Sequence, residues 1–246
     1  MDWAKPMDAG GGAGGPGPGA AAELAQVAAA VGVSHVLYWW VWYWPHKWAA
    51  LCARVRGPKT DPVDVLAALA SLLRLLQFIL SFWLVEKHLA PAAAPGAWPA
   101  AWPLPKLLDC YLGAGAAVGA AGLALFGCGQ ALNMGIYHAI GKEGVYYGCK
   151  LGKDIPWCEG FPFNVCGHPQ YVGCVLSLWG SFLPIVLQGP AWLAALPGLW
   201  TLFYVFSGAV ESDGSAGAVP KMNTLEINWP AGPPARKKRA PKKKRR

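Results

Sequence analysis

From Val172 to Gly208 the chain carries no acidic or basic side chain. No other feature constrains the fold as strongly. Roughly 20 apolar residues already cross the hydrocarbon core of a bilayer, so this run is too long for one span. The sequence "QGP" at 188–190 breaks it, with Pro184 close by. The spacing predicts a helical hairpin over 172–187 and 191–208. Three further apolar runs precede it, over 24–44, 64–85 and 108–132. The first ends in "LYWWVWYW", a block of Trp and Tyr of the kind that gathers at the membrane–water boundary. That segment reads either as a full span or as a helix lying in one leaflet. The second holds Arg74 and Gln77, and an Arg at such depth is expected to face the protein interior.

Composition agrees. Hydrophobic residues make up 54% of the 246 and charged ones 14%, against about a quarter charged in a soluble domain. The formal charge of +8 is not spread along the chain: "ARKKRAPKKKRR" at 235–246 holds nine of the 21 basic residues. The charge therefore belongs to an appendage, and no nucleic-acid surface is expected on the apolar body. Seven cysteines form no C-x-x-C pair. They read as reduced, buried thiols, with no metal site and no disulfide framework.

These features predict an all-α, polytopic membrane bundle with four or five apolar segments. Residues 1–22, rich in Gly, Pro and Ala, read as a disordered head, residues 23–212 as the membrane domain and 213–246 as a basic, disordered tail. Lys and Arg cluster in the loops 45–63 and 133–170 and in the tail, which places all three in the cytosol. The loop 86–106 is then luminal. Under that scheme polar residues near the ends of the last three spans converge on one face. Span three is expected to end near Gly129 and the last helix near Glu211.

Within that face, "GCGQALNMGIYHAIGKEGVYYG" (127–148) and "GFPFNVCGHPQYVGC" (160–174) stand before an apolar hairpin closed by Glu211. With "YWPHKWAALCAR" (43–54), this arrangement resembles the phospholipid N-methyltransferases over roughly residues 34–212. The resemblance implies methyl transfer from S-adenosylmethionine to the amine of phosphatidylethanolamine derivatives, ending in phosphatidylcholine. It implies a cofactor-binding Gly-x-Gly at Gly127, Cys128 and Gly129 and an acidic pair at Glu211 and its neighbour. Here the chain departs from the pattern, because Glu211 is followed by Ser212. It further suggests His168 and Glu211 as catalytic groups, with Asn164, His168, Tyr171 and His138 at the lipid substrate. Glycines allow a ligand close to the backbone, a carboxylate can hold ribose hydroxyls, and His168 or a carboxylate can take the proton of the substrate ammonium.

Plainer readings stand beside these. Small residues on membrane helices usually serve close packing, which also fits Gly127 and Gly129 and is the reading taken for Gly115-x-x-x-Gly119. His138, Tyr146 and Tyr147 also read as interfacial anchors, His168 as a loop-stabilising group, and Arg74 as a buried structural charge. Glu211 could cap the last helix, although a carboxylate is a poor partner for a helix C-terminus. Two other functions remain open: methylation of another membrane substrate such as a prenylated cysteine carboxylate, and a non-catalytic scaffold with a lipid-binding basic tail. Lys243 and Lys244 have the spacing of a dilysine endoplasmic-reticulum retrieval signal. The oligomeric state has no signal in the sequence.

Overall fold

Proline punctuates this chain at helix starts, where its missing N–H costs nothing and its φ already suits the helix. In the computed structural model, which describes residues 15–89, 111–156 and 158–215, four helices begin on one: α1 (Pro18–Tyr43), α2 (Pro45–Arg56), α3 (Pro62–Leu89) and α5 (Pro169–Gln188). Between α3 and α5 lie α4 (Ala116–Val145) and a 3-10 turn (Gly148–Leu151). A second 3-10 turn (Ala191–Ala194) leads from α5 into α6 (Ala195–Ser215). The described residues contain no strand. Five helical segments are long and apolar enough to cross a membrane: Pro18–Tyr43, Pro62–His88, Ala116–Leu151, Pro169–Gln188 and Ala191–Glu211. The all-α membrane architecture expected from the apolar runs is therefore present, and the first segment has the length of a full span.

Several boundaries differ from the expectation. The helix α1 starts inside the segment read as a disordered head, because Pro18 and the Ala-rich turn after it favour helix; residues 1–14 lie outside the described residues, as does the tail from 216 onward. Span three starts at Ala116, after Gly115 with its positive φ of 85°, and does not end near Gly129. The stretch "ALNMGIYHAI" dilutes the hydropathy but keeps helix-forming residues, so α4 runs on to Val145, bent at Gly141 where φ is 65°. Only glycine takes that conformation without strain. The expected loop 45–63 is largely α2. The rigid loop expected over Phe161–Gly173 ends at His168, since Pro169 opens α5.

The helices alternate in direction. Glu23 of α1 meets Lys87 and His88 of α3, and Ser34 meets Gln77, so these two run antiparallel. Helices α4 and α5 are also antiparallel, with Gly122 against Gly180 and Gly129 against Gly173. His35 and Trp39 of α1 both reach Ser207 of α6, while Gly32 abuts Phe203, so α1 and α6 run the same way. One end of the bundle consequently carries α2 and the basic residues Lys142, Lys150 and Lys153, the latter two and Lys142 held by Trp42, Asp61 and Asp64. Two apolar clusters close the bundle. One, at the α2 end, gathers Trp48, Leu66, Ile136 and Tyr146; the other, at the opposite end, gathers Leu84, Phe182, Leu193 and Trp200. The described residues up to Ala209 form one compact unit, and the end of α6 from Val210 belongs to a second.

Candidate active site

Between the two apolar clusters the helices present polar side chains to one another. Gln77 of α3 donates to the Ala30 carbonyl (3.0 Å) and to Ser34 (2.8 Å) on α1. His35 Nδ1 lies 3.0 Å from Ser207 Oγ, which also accepts from Trp39 Nε1 at 3.1 Å. Unpaired polar groups are costly inside an apolar layer, so such pairs hold the helices in register. Two groups escape this pairing: the buried hydroxyls of Tyr38 and Ser81 have no hydrogen-bond partner among the described residues.

Beside this layer lies a cavity of about 770 Å³ between α3, α4, α5 and α6, within the range of small-molecule and cofactor sites. Arg74, Gln77, Asn133, Gln170 and Tyr204 line the part nearer the α2 end; Phe78, Phe82, Phe126, Phe182 and Trp200 line the remainder. Gln130 faces it too and donates to Ser177 at 2.9 Å. A small adjoining pocket shares Arg74, Gln77, Gln170 and Tyr204 and reaches Tyr38, His35 and Tyr171.

The glycines of the Gly-x-Gly element face different surroundings. A methyl group on Gly129 would strike Ser177 Oγ and lie 2.5 Å from the Gly173 carbonyl oxygen, whereas one on Gly127 would meet nothing within 4 Å. Gly129 therefore lets α5 approach, and Gly127 and Cys128 are exposed on α4. His168 is the N-cap of α5, stacked on Tyr171 with centroids 5.9 Å apart. Tyr171 in turn lies 5.7 Å from Tyr204 and 3.4 Å, hydroxyl to hydroxyl, from Tyr147. Gly208 of α6 backs the pair, leaving 3.4 Å between an added Cβ and the Tyr171 ring. The structure thus brings Tyr171 to the small pocket, while His168 stacks on Tyr171 and lines neither cavity. Asn164 and His138 are exposed and line neither cavity. Glu211 and Ser212 stand near the end of α6. Cys52 is buried as expected, but Cys128 and Cys149 are exposed, so the expectation of uniformly buried thiols is corrected; the six described cysteines form no disulfide.

Outside the membrane-spanning segments one ion pair stands out. Burial raises the Asp61 carboxyl, but the Lys153 ammonium and the Val63 N–H outweigh it and hold the group below the usual carboxylate range. The Lys153 ammonium is raised by its hydrogen bond to Asp61, against a smaller opposing effect of burial.

Sequence reasoning placed Arg74 correctly in the interior but gave it no role at a site. It passed over Tyr38, Gln130, Asn133, Gln170 and Tyr204. The available signal was spacing: Arg74 and Gln77, and Gln130 and Asn133, are i, i+3 pairs on one helix face inside apolar runs.

Residues 118–213 match the family described as phospholipid methyltransferase. A phosphatidyl-N-methylethanolamine N-methyltransferase of Arabidopsis thaliana is 32% identical over 200 residues, which is 78% of this chain and 96% of that protein. Proteins of the same name from Saccharomyces cerevisiae and Emericella nidulans are 41% and 43% identical over 63 and 64 residues, in each case 25% of this chain and 31% of theirs. No solved structure matches. The chain belongs to the phospholipid methyltransferase family, a family of membrane enzymes.

Proposed function

We propose that this protein transfers methyl groups from S-adenosylmethionine to phosphatidylethanolamine derivatives, the mono- and dimethyl forms, yielding phosphatidylcholine. The observation that carries the reading is the cavity, polar toward the α2 end and aromatic beyond, with Phe78, Phe126 and Met134 both lining it and exposed on the outer helix surface. That is the shape and polarity of a head group with its chains, in a chain that resembles a named relative along nearly its whole length.

The cavity has room for a nucleoside-sized group, and Gln130, Asn133 and Gln170 supply donors and acceptors for hydroxyls and an amino-acid end. S-adenosylmethionine, when bound, supplies an electrophilic methyl group. In this reading the Gly127-Cys128-Gly129 element serves it through the exposed Gly127 and Cys128, with Gly129 holding α5 against α4, and Glu211 and Ser212 are assigned to it by the family resemblance. The substrate ammonium has to lose a proton before it can act as a nucleophile, and a partly desolvated site favours that loss. His168, fixed at the start of α5 against Tyr171, takes the proton; Asn164 and His138 belong to the path of the head group. Helices α1 to α6 keep bulk water away and hold the reacting groups in line.

By the positive-inside rule the basic α2 end faces the cytosol, so five crossings leave the N-terminus in the lumen. The protein is assigned to the endoplasmic reticulum, with Lys243 and Lys244 as its retrieval signal. Changing both to Ser is expected to release it from that membrane; unchanged residence speaks against the signal.

Purified protein supplied with labelled S-adenosylmethionine should label phosphatidyl-N-methylethanolamine and its dimethyl form. Label entering only a prenylated cysteine carboxylate, or no acceptor, overturns the reading. Glu211→Gln should raise the Michaelis constant for S-adenosylmethionine about ten- to a hundred-fold, as expected for a lost charged hydrogen bond, and leave that for lipid unchanged. Normal cofactor use with weakened lipid use would move Glu211 to the substrate.

A further inference from the structure

Arg74 sits in the middle of α3, lining both the large cavity and the small pocket. A guanidinium stays charged at any physiological pH, and inside an apolar layer such a charge is expensive unless it meets an anion or strong dipoles. Among the described residues no carboxylate pairs with it. The groups that act on it electrostatically include the hydroxyls of Tyr204, Tyr38, Tyr146 and Tyr137, the Cys174 thiol and the His35 ring, and none is a carboxylate. One of these, the Tyr38 hydroxyl, is a buried donor without a partner among the described residues. A cation and an unused donor therefore meet in the small pocket, and Arg74 carries that pocket into the wall of a cavity large enough for a ligand.

The cavity has a direction. Because the four helices alternate, Arg74 and Gln77 on α3, Asn133 and Tyr137 on α4, and Gln170 on α5 fall at one level, toward the α2 end. Phe78 stands at the border of that level, and Phe82, Phe126 and Trp200 fall at the next. The cavity also opens sideways. Phe78 is 40% exposed, Phe126 41% and Met134 70%, although all three line it. A polar, cationic level above an aromatic slot open to the side suits an amphiphile with an anion at the junction of head and chains.

We propose that Arg74 binds the phosphodiester of the lipid acceptor, seconded by the Tyr38 hydroxyl, with the acyl chains leaving between α3 and α4 past Phe78 and Phe126. The proposal rests on the phospholipid reading of the site and names the group that recognises the phosphate. Arg74 is then the determinant that separates phospholipid amines from uncharged lipid amines.

The test compares two radiolabelled lipids bound at equilibrium to the full-length protein in dodecylmaltoside micelles. One is phosphatidyl-N-methylethanolamine. The other carries the same chains and amine on a neutral carbonate in place of the phosphodiester. Wild type should bind the first about ten- to a hundred-fold more tightly, the range for charged hydrogen bonds. Arg74→Gln should erase that preference and leave the dissociation constant of S-adenosylmethionine within about twofold. Arg74→Lys, a point charge without the planar fork, should keep part of the preference. Equal binding of the two lipids by wild type overturns the proposal, whatever the variants do, and so settles the matter even if Arg74→Gln does not fold. A weakened S-adenosylmethionine constant in Arg74→Gln, with the lipid preference intact, assigns the guanidinium to the carboxylate of the methyl donor and also overturns it. Phosphate preference without methylation of phospholipid would sink the proposed reaction and leave the anchor standing; methylation without preference would do the reverse.

Discussion

The cavity is bounded by two walls of different make. Helices α4 and α5 meet backbone to backbone. The pairs Gly122–Gly180 and Gly129–Gly173 recur seven residues apart on each helix, and an added Cβ at Gly180 would come within 2.5 Å of the Phe126 nitrogen. Helices α1 and α3 are held by side chains instead: Gln77 to Ser34 and Ala30 in the middle, Lys87 and His88 to Glu23 at one end. The first wall has no movable part and fixes a reference surface. The second is a set of rotamers, and it is this wall that offers Arg74 and Gln77 to the cavity. Close packing of small residues and interhelical hydrogen bonds are the two available ways to join helices where the hydrophobic effect gives no drive between them. Here each is used on one side of a single site.

The sharpest way to break the comparison is to fill the glycine wall. Gly129→Leu and Gly180→Leu each place a branched side chain against a neighbouring backbone, and overpacking of this kind costs upward of about 3 kcal/mol. Both variants should lose the monodisperse state in detergent or unfold at clearly lower temperature. Gly127→Leu, two residues from Gly129, meets open space and should unfold within about 0.5 kcal/mol of wild type. Thermal unfolding of the three proteins decides it: equal behaviour of Gly127→Leu and Gly129→Leu would mean the close contact is not a structural requirement. The same Gly127→Leu protein reads the cofactor proposal, since loss of S-adenosylmethionine binding in a stable protein can only come from the binding surface.

A smaller effect tests the polar wall. Gln77→Leu removes two interhelical hydrogen bonds, each worth about 0.6 kcal/mol on average in membranes, so a loss near 1 kcal/mol is expected. Adding Ser34→Ala to Gln77→Leu should cost less than Ser34→Ala costs alone, because the shared bond is already gone. Strict additivity in unfolding measurements would show that Ser34 and Gln77 are not coupled.

The two walls were unequally legible in the sequence. Hydropathy located the five apolar segments, and on the packed wall Gly129 was legible as a small residue on a membrane helix, whereas Gly173 read as a turn glycine in the loop before α5. Which glycine packs was not visible, because Gly127 and Gly129 look alike until α5 is placed. The polar wall was harder. Helix α4 was cut short at Gly129 because Asn133, Tyr137 and His138 lower the local hydropathy, yet Asn133 and Tyr137 are the residues that turn inward to the cavity. Polar residues that face a membrane cavity mimic a loop when read by hydropathy alone. Arg74 was legible as an inward charge; its place beside the unsatisfied Tyr38 hydroxyl in the small pocket depends on how distant helices pack, which no local pattern encodes.

The smallest effect separates the polar contacts inside the membrane from those outside it. The bonds of Gln77 and Ser34 are uncharged and should not respond to pH. At the α2 end, by contrast, Lys153 bridges Asp61 and Glu143, the latter at 3.4 Å. Asp61 also accepts from Val63 N–H at 2.9 Å, capping the start of α3. Asn caps a helix as well as Asp does, so Asp61→Asn removes the charge and keeps the cap. Asp61 is held below its ordinary value, so its contribution is present above the unfolded carboxyl value of about 3.9 and is lost as pH falls through the folded value. Lys153 is raised, so its contribution is present below about 10.4 and is lost as pH rises through the folded value. Between these limits the pair should be constant. The side chains are 31% and 30% exposed, and solvent screening keeps the value under about 1 kcal/mol. The difference in melting temperature between wild type and Asp61→Asn should therefore be small and flat from about pH 6 to 9, shrink below about pH 4, and diminish with added salt. No difference at any pH would show that Asp61 acts through its cap alone, and the ion pair would then contribute nothing to holding α3 at this end.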